Sequence, residues 1–167
     1  FLERLGAWSE IAPTRSSPYQ AMQIWEHDPK TALRFDAGDV RAGLLGTIVE
    51  SGLLTEALWR SLPAGVARSG IQVQTLEPGE DGIRLHLADG EVVRTRLAII
   101  AEGRDARLRT QLGIESLSGQ YGQTAVVCHV ATTRPHRRTA WQRFLPSGPL
   151  AFLPLADGRS SIVWSSS

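Results

Sequence analysis

The chain has 167 residues, of which 42% are hydrophobic, enough for one full core or two small lobes and too apolar for a disordered segment. Eighteen Lys and Arg against 17 Asp and Glu leave a formal net charge of +1, so the basic run Arg134–Arg143 reads as a solvated face and no nucleic-acid partner is implied. A single Cys excludes a disulfide framework, the four His show no metal-ligand spacing, and no apolar run approaches the roughly 20 residues of a membrane span.

The chain opens without Met inside an amphipathic pattern, Leu2, Leu5 and Ile11 marking one side of a helix, followed by a polar connector at Pro13–Pro18. Ala21–His27 alternates as a strand with both faces partly covered, Asp28-Pro29 turns it, and Ala32–Phe35 is its antiparallel return. The Gly-rich stretch Asp36–Gly46 leads through Thr47–Glu50 to a helix starting near Ser51, with Leu54, Leu58 and Leu62 as its stripe. Ile71–Leu76, Ile83–Leu87 and Glu91–Thr95 form a β-meander whose second turn is Asp89-Gly90.

Leu97–Ala101 is too continuously apolar for a half-exposed strand and reads as a buried one. Glu102-Gly103 turns the chain into a helix over Arg104–Gln111, which Gly113 stops. Strand, tight turn and helix in that order are where α/β folds bind phosphates and other polar ligand groups. From Tyr121 onward the pattern is all β: Gln123–Thr132, Ala140–Leu145, Leu150–Leu155 and Ser160–Trp164 predict a four-stranded antiparallel sheet, with Cys128 as a reduced, buried thiol. The fold class is therefore mixed α/β, a scaffold with an attached β-sheet. No nucleophile elbow and no Gly-rich phosphate loop occurs, so catalytic residues are not identifiable from spacing.

Three segments carry a resemblance that covers nearly the whole chain. The block Tyr121–Trp164, above all AWQRFLPSGPLAFLPL at Ala140–Leu155, resembles the FAD-dependent aromatic hydroxylases of ubiquinone biosynthesis. IVESGLLTEALW at Ile48–Trp59 and AEGRDARLRTQLGI are similar to further motifs of that family. The resemblance implies a fold like that of p-hydroxybenzoate hydroxylase, an FAD-binding α/β domain interleaved with a substrate domain built on an antiparallel sheet. In that mapping residues 1–17 are helix and connector of the FAD domain, 18–47 are the first substrate-domain strands, 48–118 belong to the FAD domain, and 119–167 form the substrate-domain sheet.

The implied reaction is hydroxylation of a polyprenylated phenol with NAD(P)H and O₂ through a flavin C4a-hydroperoxide, chemistry that belongs to the cofactor. For FAD, the resemblance singles out Glu102, where the family motif has Asp, with Gly103 and Arg109 matching it and Ala106 replacing the usual Ser. Ser51 occupies a position that is Arg or Asn in relatives, and Val73 one whose backbone faces the adenine. Trp141, Arg143 and Phe144 border the implied substrate cavity; alternation puts Trp141 and Arg143 on one face and Gln142 and Phe144 on the other, and only one set can line it. Arg34 and His136 read as surface residues.

The family's Gly-x-Gly-x-x-Gly turn does not occur in these 167 residues and its later Gly-Asp motif would follow Ser167, so the chain alone is expected to be an inactive internal fragment. Its exposed sheet edges would favour a homodimer. The implied setting is cytoplasmic, peripheral to the inner membrane or in a ubiquinone-biosynthesis complex. The alternative is a flavin-free module that binds a prenylated phenol or a partner protein.

Overall fold

In the computed structural model, residues 1–103 and 107–167 are described; part of the predicted helix Arg104–Gln111, with Ala106, lies outside them. The chain divides into two compact units, one formed by Phe1–Leu62 with Gln120–Ser167 and the other by Pro63–Gly119.

The first unit is built on a six-stranded sheet in the order β3-β2-β9-β10-β11-β8. Its members are β2 (Ala21–Trp25), β3 (Leu33–Asp36), β8 (Thr124–Val130), β9 (Thr139–Leu145), β10 (Gly148–Pro154) and β11 (Ser160–Ser166). The four late strands pair antiparallel as expected, but β2 adds to β9 in parallel, with Gln23 opposite Trp141, and brings its hairpin partner β3 with it. Local alternation cannot report such a pairing between segments more than a hundred residues apart, so the predicted four-stranded sheet becomes six.

The connector predicted over Pro13–Pro18 is in part a strand, β1 (Ser16–Tyr19), paired antiparallel with β4 (Gly46–Val49). The first helix is also shorter than predicted. Gly6 takes a left-handed φ of 75°, and only α1 (Trp8–Ile11) is helical, while Leu5 turns outward. A small core remains there: Ala7, Ile11 and Ala57 are buried, with Leu54 and Leu58 of α2 (Ser51–Arg60) packed on them.

The second unit is the expected meander, β5 (Val73–Gly79), β6 (Gly82–Leu87) and β7 (Val92–Thr95), followed by the short helix α3 (Arg107–Gln111). Gly113, at φ 69°, ends that helix and donates to the Thr110 carbonyl. The predicted buried strand Leu97–Ala101 is not a strand: Leu97 is 71% and Ile99 84% exposed. Its apolar run has no strand beside it among the described residues, and a strand needs a ladder partner as well as composition.

Cys128 corrects another expectation, because it is exposed. Strand β8 is the edge of the sheet, and an apolar sequence on an edge strand does not ensure burial.

Candidate functional site

Cross-strand partners share a face of the sheet. His129 lies opposite Ser161, Ser161 opposite Leu153, and two residues along β10 Ala151 lies opposite Gln142. These residues and Phe144 therefore share one face. Trp141 opposes Phe152, and Arg143 opposes Leu150, so both belong to the other face with Trp25 and Arg34.

A cleft of about 870 Å³ opens on the Phe144 side of the sheet. Its walls come from Val127 and His129 of β8, Ser161 of β11, Ser17 of β1, and Ser51 and Gly52 at the start of α2. The first N–H groups of a helix lack intrahelical acceptors, and neither a side-chain cap nor a first-turn acid blocks them in α2. That end of the cleft thus presents hydrogen-bond donors and a partial positive charge. At Gly52 nothing lies within 4 Å of where a Cβ would stand.

Charge at the rim is paired. Arg15 bridges Glu50 at 3.1 Å, and Asp157 accepts from the Arg159 guanidinium at 2.7 Å and from its N–H at 3.0 Å. The Arg159 side chain, then its backbone N–H, hold the Asp157 carboxyl below the usual carboxylate range, and His129 adds a weaker pull.

The opposite face carries a second cavity of about 800 Å³, where Trp25 and Trp141 meet Arg34, Arg134 and Arg137. Arg34 and His136, expected at the surface, line it as well. His136 is fixed: its Nδ1 accepts from the Arg138 N–H at 3.1 Å, and its Nε2 donates to the Leu155 carbonyl at 3.0 Å. Arg143 donates to the Glu26 carbonyl at 3.2 Å.

The remaining sequence-predicted residues lie in the second unit. Glu102 accepts from the Leu108 N–H at 3.1 Å and so satisfies a donor at the start of α3. Arg109 reaches back to the Gly103 carbonyl at 3.1 Å, and Gly103 turns the chain at φ 67° with open space on its Cβ side. Val73 is half-buried on β5, its carbonyl held by the Arg107 guanidinium. Glu102, Gly103 and Arg109 are thus brought together in one turn, and Ser51 sits in the first unit.

Glu50, His129, Ser161 and the Asp157–Arg159 turn were not singled out in the sequence. Alternation along β8 does place Val127 and His129 together, but only the fold shows that α2 begins opposite them.

No protein-family model matches the chain. Solved structures share its architecture. Pseudomonas aeruginosa PqsL, described as a probable FAD-dependent monooxygenase, superposes with a TM-score of 0.75 at 17% identity, over 99% of this chain and 47% of that one. Klebsiella pneumoniae HpxO, solved with FAD and uric acid, gives 0.69 at 18% identity, over 96% and 44%. The fold is that of the FAD-dependent hydroxylases.

Sequence relatives narrow the class. The chain is 35% identical to the 3-demethoxyubiquinol 3-hydroxylase of Escherichia coli over 98% of its length and 42% of the relative's. It is 33% identical to the ubiquinone biosynthesis monooxygenase COQ6 of Danio rerio over 99% and 37%, and 34% identical to the ubiquinone hydroxylase UbiL of Rhodospirillum rubrum over 98% and 38%. The chain belongs to this family of ubiquinone-biosynthesis hydroxylases and spans about two fifths of the length of the relatives it matches.

Within the first unit, the start of α2 fits part of an FAD site, since its first N–H groups lack intrahelical acceptors and can meet carbonyl or phosphate oxygens. In the second unit, Gly103 leaves open space beside a left-handed turn.

Proposed function

We propose that this chain supplies the substrate-facing sheet and part of the FAD site of a monooxygenase that hydroxylates a polyprenylated phenol with NAD(P)H and O₂. The observation that carries the reading is the cleft in which one face of the six-stranded sheet meets the start of α2. When bound, FAD supplies the oxygen-activating chemistry. The chain's own residues do the rest.

Ser51 and Gly52 direct backbone N–H groups at electronegative atoms of the cofactor. Val127, His129 and Ser161 of the cleft wall orient the phenol ring and exclude water from it, and Gln142, Phe144 and Ala151 continue the same face of the sheet beside the substrate. Trp141 and Arg143 take no part in substrate contact on this reading, because they lie on the other face, against Trp25 and the Glu26 carbonyl. Glu102 positions Gly103 and Arg109 through its bond to α3, and Val73 contributes backbone at the edge of the meander.

No helix among the described residues is long and apolar enough to cross a membrane. A polyprenylated substrate partitions into the bilayer, and on this reading the protein works at the surface of the inner membrane. The exposed edge strand β8 offers a route to a homodimer or to a complex with other enzymes of ubiquinone biosynthesis.

Titration of FAD with the protein in its full encoded length, followed by flavin fluorescence, tests the reading. Saturable quenching is expected, weakened at least tenfold by Ser51→Asp, whose carboxylate would meet electronegative cofactor atoms. Absence of binding, or binding indifferent to that substitution, would contradict it.

A further inference from the structure

The six-stranded sheet segregates charge by face. Arg34 and Arg143 share the face of the two tryptophans, whereas from β10 to β3 the cleft-side face carries no charged side chain. It runs from Ala151 past Phe144 and Ile24 to Leu33 and Phe35, with Gln142 as its polar break. At the far end Leu33 is 66% and Phe35 50% exposed, on an edge strand where bare apolar side chains invite misassociation. The strip is continuous with the face that walls the cleft.

Resting on the hydroxylase reading above, we infer that this strip is the track of the substrate's prenyl chain: the ring sits in the cleft, and the tail crosses β9 and β2 to leave over β3. A neutral hydrocarbon matches a surface without charge and almost without hydrogen-bonding groups, whereas an acidic partner would be drawn to the arginines of the opposite face. The track has a defined length. Three strand spacings separate β10 from β3, about 14 Å. An isoprene unit adds four backbone carbons joined by bonds of ~1.5 Å and advances roughly 5 Å in zigzag. About three units therefore fill the track, and further units lie beyond the sheet.

The test uses the full-length protein and a series of phenols bearing zero, one, three and five isoprene units, read by turnover and by equilibrium binding. Both kcat/KM and affinity are expected to rise at least tenfold from zero to three units and then to level off. In the double variant Leu33→Asp, Phe35→Asp, the advantage of three units over none should fall at least tenfold, mainly in KM. Phe35→Leu should retain it. A flat series, or a tail-length dependence unchanged in the double variant, would overturn the track. Tail-length-dependent binding without turnover would instead sink the hydroxylase reading and leave the track standing. Melting temperatures of both variants separate lost folding from lost tail contact.

Discussion

Trp141 of β9 packs edge-on against Trp25 of β2, the ring centroids 6.3 Å apart and the planes at 83°. The pair straddles the one parallel seam of the sheet, where Gln23 faces Trp141 across the ladder. A motif residue near an implied substrate cavity thus joins an early strand to the late ones. Truncating Trp141→Ala should cost about 2 kcal/mol, less than for a fully buried aromatic because the ring is partly exposed. Urea denaturation checks the loss, and substrate affinity at a temperature where the variant remains folded should change less than threefold.

Gly148 opens β10 at φ 138°, and a Cβ there would collide with the Ser165 carbonyl. Gly148→Ala combines a disfavoured backbone with that clash, so a loss of about 2 kcal/mol or more is expected. Gly158→Ala gives the comparison. Its φ of 89° is also positive, but nothing lies within 4 Å of its Cβ position, so it should cost less in the same denaturation experiment.

Among the described residues, four carboxylates, Asp36 half-buried and the other three exposed, are held below their usual range. Asp36 is held first by the Gly38 N–H and then by Arg34, Glu77 by His86, Glu91 by Arg68, and Asp157 by Arg159. As pH falls through about 4.5, the unfolded chain takes up protons on these groups before the folded one does, so stability present at neutral pH declines. The decline ends once the folded groups titrate in turn. Three of the four are exposed and Asp36 is still partly open to solvent, so 1 M salt should flatten the slope by screening. Urea midpoints at pH 7, 4 and 2.5, each with and without salt, check both statements; a midpoint independent of pH would contradict them.

Glu102 accepts the Leu108 N–H and anchors the start of α3. Glu102→Ala should destabilise the second unit by about 1 kcal/mol, the usual cost of a lost cap. Glu102→Asp shortens the reach and should recover only part of it. Amide exchange at Leu108 reports the bond itself.

Much of the architecture is legible in the chain because local chemistry fixes it. Asp89-Gly90 sets the β6–β7 turn, Gly113 ends α3, and alternation from Thr139 onward places β9, β10 and β11. Long-range pairing is not local. Nothing near Ala21 announces that β2 will run parallel to β9, and nothing near Ser16 announces its pairing with Val49. The run Leu97–Ala101 shows the reverse failure, since apolar composition marks a strand's core side but does not supply its partner. The site was half visible. Ser51 and Phe144 come from motifs, while the place of Ser51 on the cleft wall depends on the fold, and that of Phe144 and Trp141 on opposite faces of the sheet depends on strand register.

On the proposed reading, the Phe144 face of the sheet, not the Trp141 face, receives the phenol. Oxygen insertion into a polyprenylated phenol, followed by mass spectrometry with FAD, NAD(P)H and O₂ supplied to the full-length protein, tests it in two variants. Ala151→Arg places a guanidinium on the cleft-side face and should lower product at least a hundredfold with the melting temperature little changed. Arg143→Ala clears the opposite face and should stay within threefold of the parent. Undiminished product from Ala151→Arg, with the larger loss in Arg143→Ala, would assign the substrate to the other face and contradict the claim.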